Sequence, residues 1–173
     1  MKSVLNALKA CVIPALAAFT LVAAPAHAQS LSNLYAAGVS YNQSASPAVA
    51  GSALYAHALS PDTTGMFAFT AIDVLPNGTK PFTVSTNISA GVAEKLFSIA
   101  GHDVYVPTTA GVSFTGTNTG WAWSTGAAVP IKLNLKSTNG SWYIVPIVRV
   151  LKSSVSNGTG YQPILGVLLG WGK

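Results

Sequence analysis

Charge is scarce in this chain. Only 8% of its 173 residues are Asp, Glu, Lys or Arg, against roughly a quarter in ordinary soluble domains. Something other than water must face much of the surface. Basic residues outnumber acidic ones by nine to four, but no Lys/Arg cluster exists, and a diffuse surplus excludes a nucleic-acid footprint. Cysteine occurs once, as Cys11. Beyond the first 28 residues no run of 18 apolar residues occurs, which excludes a membrane-spanning helix there. Phosphate-cradling glycine loops and the Gly-x-Ser-x-Gly nucleophile elbow are missing as well.

What is present begins with an export pattern. Lys2 and Lys9 precede a short apolar stretch from Cys11 to Ala24, and Ala26-His27-Ala28 supplies small residues at a cleavage point. This reads as a signal peptide over residues 1–28, with the working chain starting at Gln29. The apolar run falls short of the ~20 residues a spanning helix needs. Cys11 is no lipidation site, because the apolar run follows it and Lys9 stands two residues before it. Processing would leave 145 residues carrying eleven charges and no cysteine. One domain, 29–173, then holds together without disulfides and has no thiol nucleophile.

Alternation with period two dominates that domain. Phe82–Ala93 places Val84, Ile88 and Val92 on one face and Ser85, Asn87 and Ser89 on the other. Trp121–Lys136 and Tyr161–Gly172 alternate similarly, with Ile164 and Leu168 as exceptions in the latter. Tyr35–Asn42 and Val104–Thr115 follow the same rule. Residues 48–59, 66–75 and 142–152 read as strands by length and flanks, but their facing stays open. Turn chemistry separates most neighbours, while Glu94–His102 is more apolar and has room for a short helical turn before Gly101. Eight strands joined by short connections predict antiparallel neighbours in up-and-down order. Pro107, Pro130, Pro146 and Pro163 fall inside strands and each removes a ladder donor; bulges or strand ends must absorb them.

A soluble barrel or sandwich also alternates. Two features favour lipid on the apolar face. The opposite face is Gly, Ala, Ser and Thr, which suits a narrow filled interior better than a water-facing surface. Aromatics also fall at strand ends: Tyr41, Phe82, Phe114, Trp121, Trp123 and Tyr161 at one rim, Tyr35, Tyr55, Trp142 and Trp171 at the other. Amphipathic rings prefer those two levels of a bilayer. The expected fold is therefore all-β, an eight-stranded antiparallel up-and-down transmembrane β-barrel, with Val129 and Val167 facing lipid.

The last strand carries Gly166-Val167-Leu168-Leu169-Gly170-Trp171. This resembles the C-terminal assembly signal of the small eight-stranded outer-membrane proteins of Gram-negative bacteria, in which glycine, an apolar residue and an aromatic recur at Gly166, Leu169 and Trp171. Ile164 stands where a polar residue is usual, and Gly172-Lys173 follow the aromatic. The resemblance implies residence in the outer membrane of the cell envelope, contact with its lipid, and recognition by the barrel assembly machinery.

Candidate chemistry is thin. His57 and His102 have no nucleophile or carboxylate partner by spacing except Asp103, and two residues do not make a metal site. No catalytic residue, cofactor or metal ligand is assigned, and the chain is expected to be a monomer. Asp73 and Arg149 stand out as rare charges near the same rim on the third and seventh strands. They pair across the lumen if both point inward, or face water at the rim. The expected function is a non-enzymatic barrel, structural or binding through its loops, and no open pore. The alternatives are a soluble periplasmic or secreted barrel holding a small apolar ligand, and an outer-leaflet lipid-modifying enzyme.

Overall fold

A computed structural model describes residues 31–42, 49–59, 65–77, 83–135, 138–155 and 161–173. The export pattern at 1–28, Phe82, and most of the connections at one end lie outside the described residues. Nine strands follow in chain order: β1 (Asn33–Asn42), β2 (Val49–Ala58), β3 (Met66–Asn77), β4 (Thr83–Ile99), β5 (His102–Thr115), β6 (Asn118–Ala128), β7 (Ile131–Lys132), β8 (Ser141–Ser153) and β9 (Gln162–Gly172). Each long strand pairs antiparallel with its sequence neighbour. β9 closes on β1 and β6 pairs with β8, so the sheet returns on itself as a ring.

The count is nine instead of eight because Val129 and Pro130 split the strand expected over Trp121–Lys136. β7 keeps the register of β6 against β8: Ala128 faces Ile147 and Ile131 faces Ile144. The break has a cause on both sides. Val129 donates its N–H to the Pro146 carbonyl at 3.1 Å, but Pro146 has no N–H to return, and Pro130 has none either. Pro107 acts the same way between β5 and β6, where register partners run to Tyr105↔Ala128 and resume at Thr108↔Thr125. Pro163 lies beyond the last β9 residue paired with β1, which is Ile164. The ring thus absorbs its prolines at gaps and strand ends.

A second expectation is corrected at Glu94–His102. No helical turn forms there. β4 runs on to Ile99 and β5 starts at His102, with Leu96 bulged between Lys95 and Phe97. Ala100 and Gly101 form the two-residue connection with φ of 50° and 80°. Positive φ at both central residues is the twist-matched hairpin turn. Beyond the Met66↔Glu94 and Tyr105↔Ala128 pairs, this hairpin has no neighbour in register on either side. It leaves the ring as a two-stranded ribbon.

Register fixes the stagger. Following partners from Asn42 through Ile164, Arg149 and Gly126, across the gap to Pro107 in the register that Tyr105↔Ala128 and Thr108↔Thr125 set on either side, and on through Ala93, Phe67 and Ala58 leads to Ser32, ten residues upstream of the start. A stagger of this size around eight long strands inclines them by roughly 40° to the ring axis. One end of the ring holds Ser32, Lys173 and the ribbon (the near end). The other holds the Gly116–Thr117 turn (the far end).

The alternating strands face as their patterns predict. β1 buries Ala36, Ser40 and Asn42 and exposes Tyr35, Val39 and Tyr41. Ile164 and Leu168 point inward and are fully buried. The three strands of open facing resolve too: β2 buries Ala50, Ser52, Leu54 and Ala56, β3 buries Phe67, Phe69, Ala71, Asp73 and Leu75, and β8 buries Tyr143, Val145, Ile147, Arg149 and Leu151. The interior is layered. An apolar core of Leu34, Leu54, Phe67, Phe69, Val145, Ile147 and Leu168 fills the near half. A polar belt follows, and then a smaller apolar cluster of Ala50, Leu75, Ala122, Leu151 and Ile164. The inward face is therefore not only small and polar, as the sequence pattern suggested.

Candidate functional site

The belt is built from one row of register partners. Ser52 on β2 faces Asp73 on β3, Asp73 faces Asn87 on β4, and Asn87 faces Ser113 on β5. All four side chains point inward and are buried. Arg149 on β8, from the opposite side of the ring, reaches across to this arc. Its Nη2 donates to Asp73 Oδ1 in an ion pair whose side chains are each only 2% exposed. Ser52 Oγ donates to the same oxygen at 2.7 Å and lies 3.1 Å from Ser40 Oγ. Of the two placements open to Asp73 and Arg149, pairing across the interior is the one the structure adopts.

More polar pairs tie neighbouring strands inside the ring. Thr109 and Ser124 hydroxyls are 2.9 Å apart, Ser85 and Thr115 hydroxyls 2.6 Å, and Asn42 Nδ2 donates to Gln162 Oε1 at 3.1 Å. The Asn87 amide, Ser113 Oγ, and Nε and Nη1 of Arg149 are buried with no hydrogen-bond partner among the described residues. Sequence reading missed Asn87 and Ser113 as companions of the ion pair. Their signal was available only through register, because residues 52, 73, 87 and 113 fall on one register row once the strands are paired.

Close approach of backbones accompanies this packing. A Cβ added at Gly111 would collide with the backbone oxygen of Ile88, and one at Gly91 with that of Thr108. Only glycine lets β4 and β5 curl this tightly.

The remaining sequence candidates lie apart. His57 is exposed on β2, with Nδ1 2.7 Å from Asn33 Oδ1, which also accepts from Tyr55 Oη at 3.0 Å. His102 opens β5 in the ribbon. Asp103 beside it is 2.8 Å from Lys95 Nζ and accepts from Ser98 at 2.6 Å. Burial pushes the Asp103 carboxyl up, but hydrogen bonds from Lys95 and Ser98 outweigh it and hold it below the usual value of 3.8. No group of three metal-ligating side chains occurs among the described residues. The apolar cavity in the near half, between Leu31, Leu54, Phe67, Tyr105 and Val145, holds about 30 Å³, far below the 300–1,000 Å³ typical of small-molecule sites.

Outside, the expected aromatic rims are in place. Tyr35 stacks on Tyr55 with centroids 4.7 Å apart at the near end. Trp123 meets Tyr161 edge-on at 5.9 Å at the far end. Lys152 projects between Tyr161 and Trp121, its Nζ 5.0 Å from the Tyr161 ring centre and 6.0 Å from that of Trp121. Gly166, Leu169 and Trp171 all lie in β9. Leu169 and Trp171 point outward and Gly166 packs toward Ser40 and Ile147.

The chain matches no protein-family model, no curated protein and no solved structure.

Proposed function

We propose that this chain is a transmembrane β-barrel of the Gram-negative outer membrane, non-enzymatic, with a structural role or one exercised through its loops. One observation carries the reading: the outward face of the closed ring is apolar all the way round. Val39 (65% exposed), Ile72, Ile88, Val112, Val167 (56%) and Leu169 come from five different strands. Water-soluble monomers rarely expose a contiguous apolar surface beyond a few hundred Å². A closed sheet is also one of the two forms whose backbone is fully paired within a bilayer. The filled interior, blocked by the apolar core and the belt, supports a plug instead of a pore. The residual cavity is too small for the ligand-carrying alternative. By resemblance, Gly166, Leu169 and Trp171 of β9 engage the assembly machinery.

Fractionation tests the reading. The protein is expected to stay with outer membranes after a high-salt wash and to migrate faster on gels unheated than boiled. Recovery in the soluble periplasmic fraction overturns it.

A further inference from the structure

Lys152 is the one charged side chain that projects outward from the far half of the ring, among the described residues. It pairs with no carboxylate of the described residues; Asp103 and Asp73 are engaged by Lys95 and Arg149. Its ammonium instead sits beside the rings of Tyr161 and Trp121. Trp123 stands next to it as its register partner on β6. A cation held on ring faces keeps its charge available to a second, anionic partner. The indole N–H and phenol O–H groups around it are further donors, of a kind enriched where a bilayer turns polar.

Below this cluster the outer surface is hollow. A groove of about 390 Å³ runs over β8, β9 and β1, between Val148, Leu165, Val167 and Val39. Val148 lies four residues from Lys152 along β8 and on the same face, about 13 Å at strand rise. That spacing sets a cationic, donor-rich site above an apolar trough on the same outward face.

We propose that Lys152, Trp121, Trp123 and Tyr161 bind the phosphate of one anionic membrane lipid, whose acyl chain lies in the groove. The inference rests on the membrane reading above. Charge complementarity selects the occupant: an unpaired ammonium in a charge-poor band calls for an anion, and the trough beneath calls for hydrocarbon. A protein partner would have to supply both from one segment at the headgroup level.

The test uses the chain with Trp142→Phe and Trp171→Phe, so that emission comes from Trp121 and Trp123. It is folded into vesicles of phosphatidylcholine containing equal mole fractions of brominated phosphatidylglycerol or brominated phosphatidylcholine. Quenching should favour the anionic lipid about five-fold in apparent association, the equivalent of about 1 kcal/mol for one basic residue at an anionic surface. Lys152→Gln should reduce the preference to unity, and Lys152→Arg should keep it. Lys132→Gln, which removes a charge at the near end, should leave it unchanged. Equal quenching by the two lipids in the parent protein overturns the site, as does a preference that survives Lys152→Gln. If neither brominated lipid quenches, the membrane reading itself fails, and the two failures are thereby distinct.

Discussion

Asp73 and Arg149 concentrate the largest single-residue stakes in the molecule. Breaking a buried pair leaves a lone charge in a poorly hydrated interior and costs about 3–5 kcal/mol. Asp73→Asn and Arg149→Met should each destabilise on that scale, and the double variant by much less than their sum. A double-mutant cycle read by urea unfolding in lipid checks this; additivity within about 0.5 kcal/mol would mean no interaction. At the ribbon, Asp103 is held below 3.8 by Lys95 and Ser98. A lowered carboxyl contributes stability that is full above the unfolded value and lost as pH falls through the folded one. Amide protection in Lys95–Tyr105, taken relative to the intrinsic exchange rate at each pH, should therefore fall only as pH drops below 3.8, and Asp103→Asn should abolish that dependence. The two charges were visible in the sequence as rarities, but their facing was not. β3 and β8 are largely apolar on both faces, because they border the near-half core and also carry outward residues such as Ile72, Val74 and Trp142, and alternation disappears wherever both sides of a strand are apolar.

Elements were legible where one face is polar and obscure where it is not. β1 and β9 could be read to within two residues, and β4 at its start but not at its end, because Ser40, Ser89 or Gly170 marks the inner face within the ring. The ribbon was misread as a connection. Its bulge at Leu96 breaks the period, and outside the ring Leu96, Phe97 and Ile99 are all exposed, so no face is polar. The turn residues also misled, since Ala100 occupies a position with φ of 50° that asparagine or glycine usually fills. An L-residue with a Cβ pays about 1–2 kcal/mol for that conformation. Ala100→Asn should therefore raise stability by roughly 1 kcal/mol, measured as a higher urea midpoint with an unchanged slope. A lower midpoint would contradict the turn assignment.

At the scale of the whole molecule, hairpin rhythm gave the order of the strands, and the closed sheet agrees with it. The surrounding medium is a different matter, since alternation is the same in any ring with unlike faces. Substitution separates the two faces. Val167 is exposed and Ser124 buried. If the outer face meets lipid, Val167→Arg should cost about 2–4 kcal/mol in bilayers and almost nothing in a water-soluble ring. Ser124→Arg should fail in either medium by overfilling the interior. Refolding yields of the two variants in lipid, compared with the parent, check both statements.

The seam between β1 and β9 has one more consequence. Ser32 and Asn33 donate to the Lys173 carbonyl at 2.7 and 3.0 Å, and Lys173 donates back to Asn33 at 3.0 Å. The two ends of the described chain are thus bonded to each other, and the path is topologically a loop cut at one of its hairpins. Any other hairpin can serve as the cut. A circular permutant that joins Lys173 to Ser32 through a short linker and opens between Gly116 and Thr117 should fold to the same ring, because every strand keeps both neighbours. What changes is the seam: β1–β9, the most sequence-distant pairing in the natural order, becomes a local hairpin, and β5–β6 becomes the distant one. Since closing a longer loop costs more chain entropy before any contact repays it, the permutant should reach the same end state with β5–β6 as its last pairing to form, which pulsed hydrogen exchange during refolding would detect.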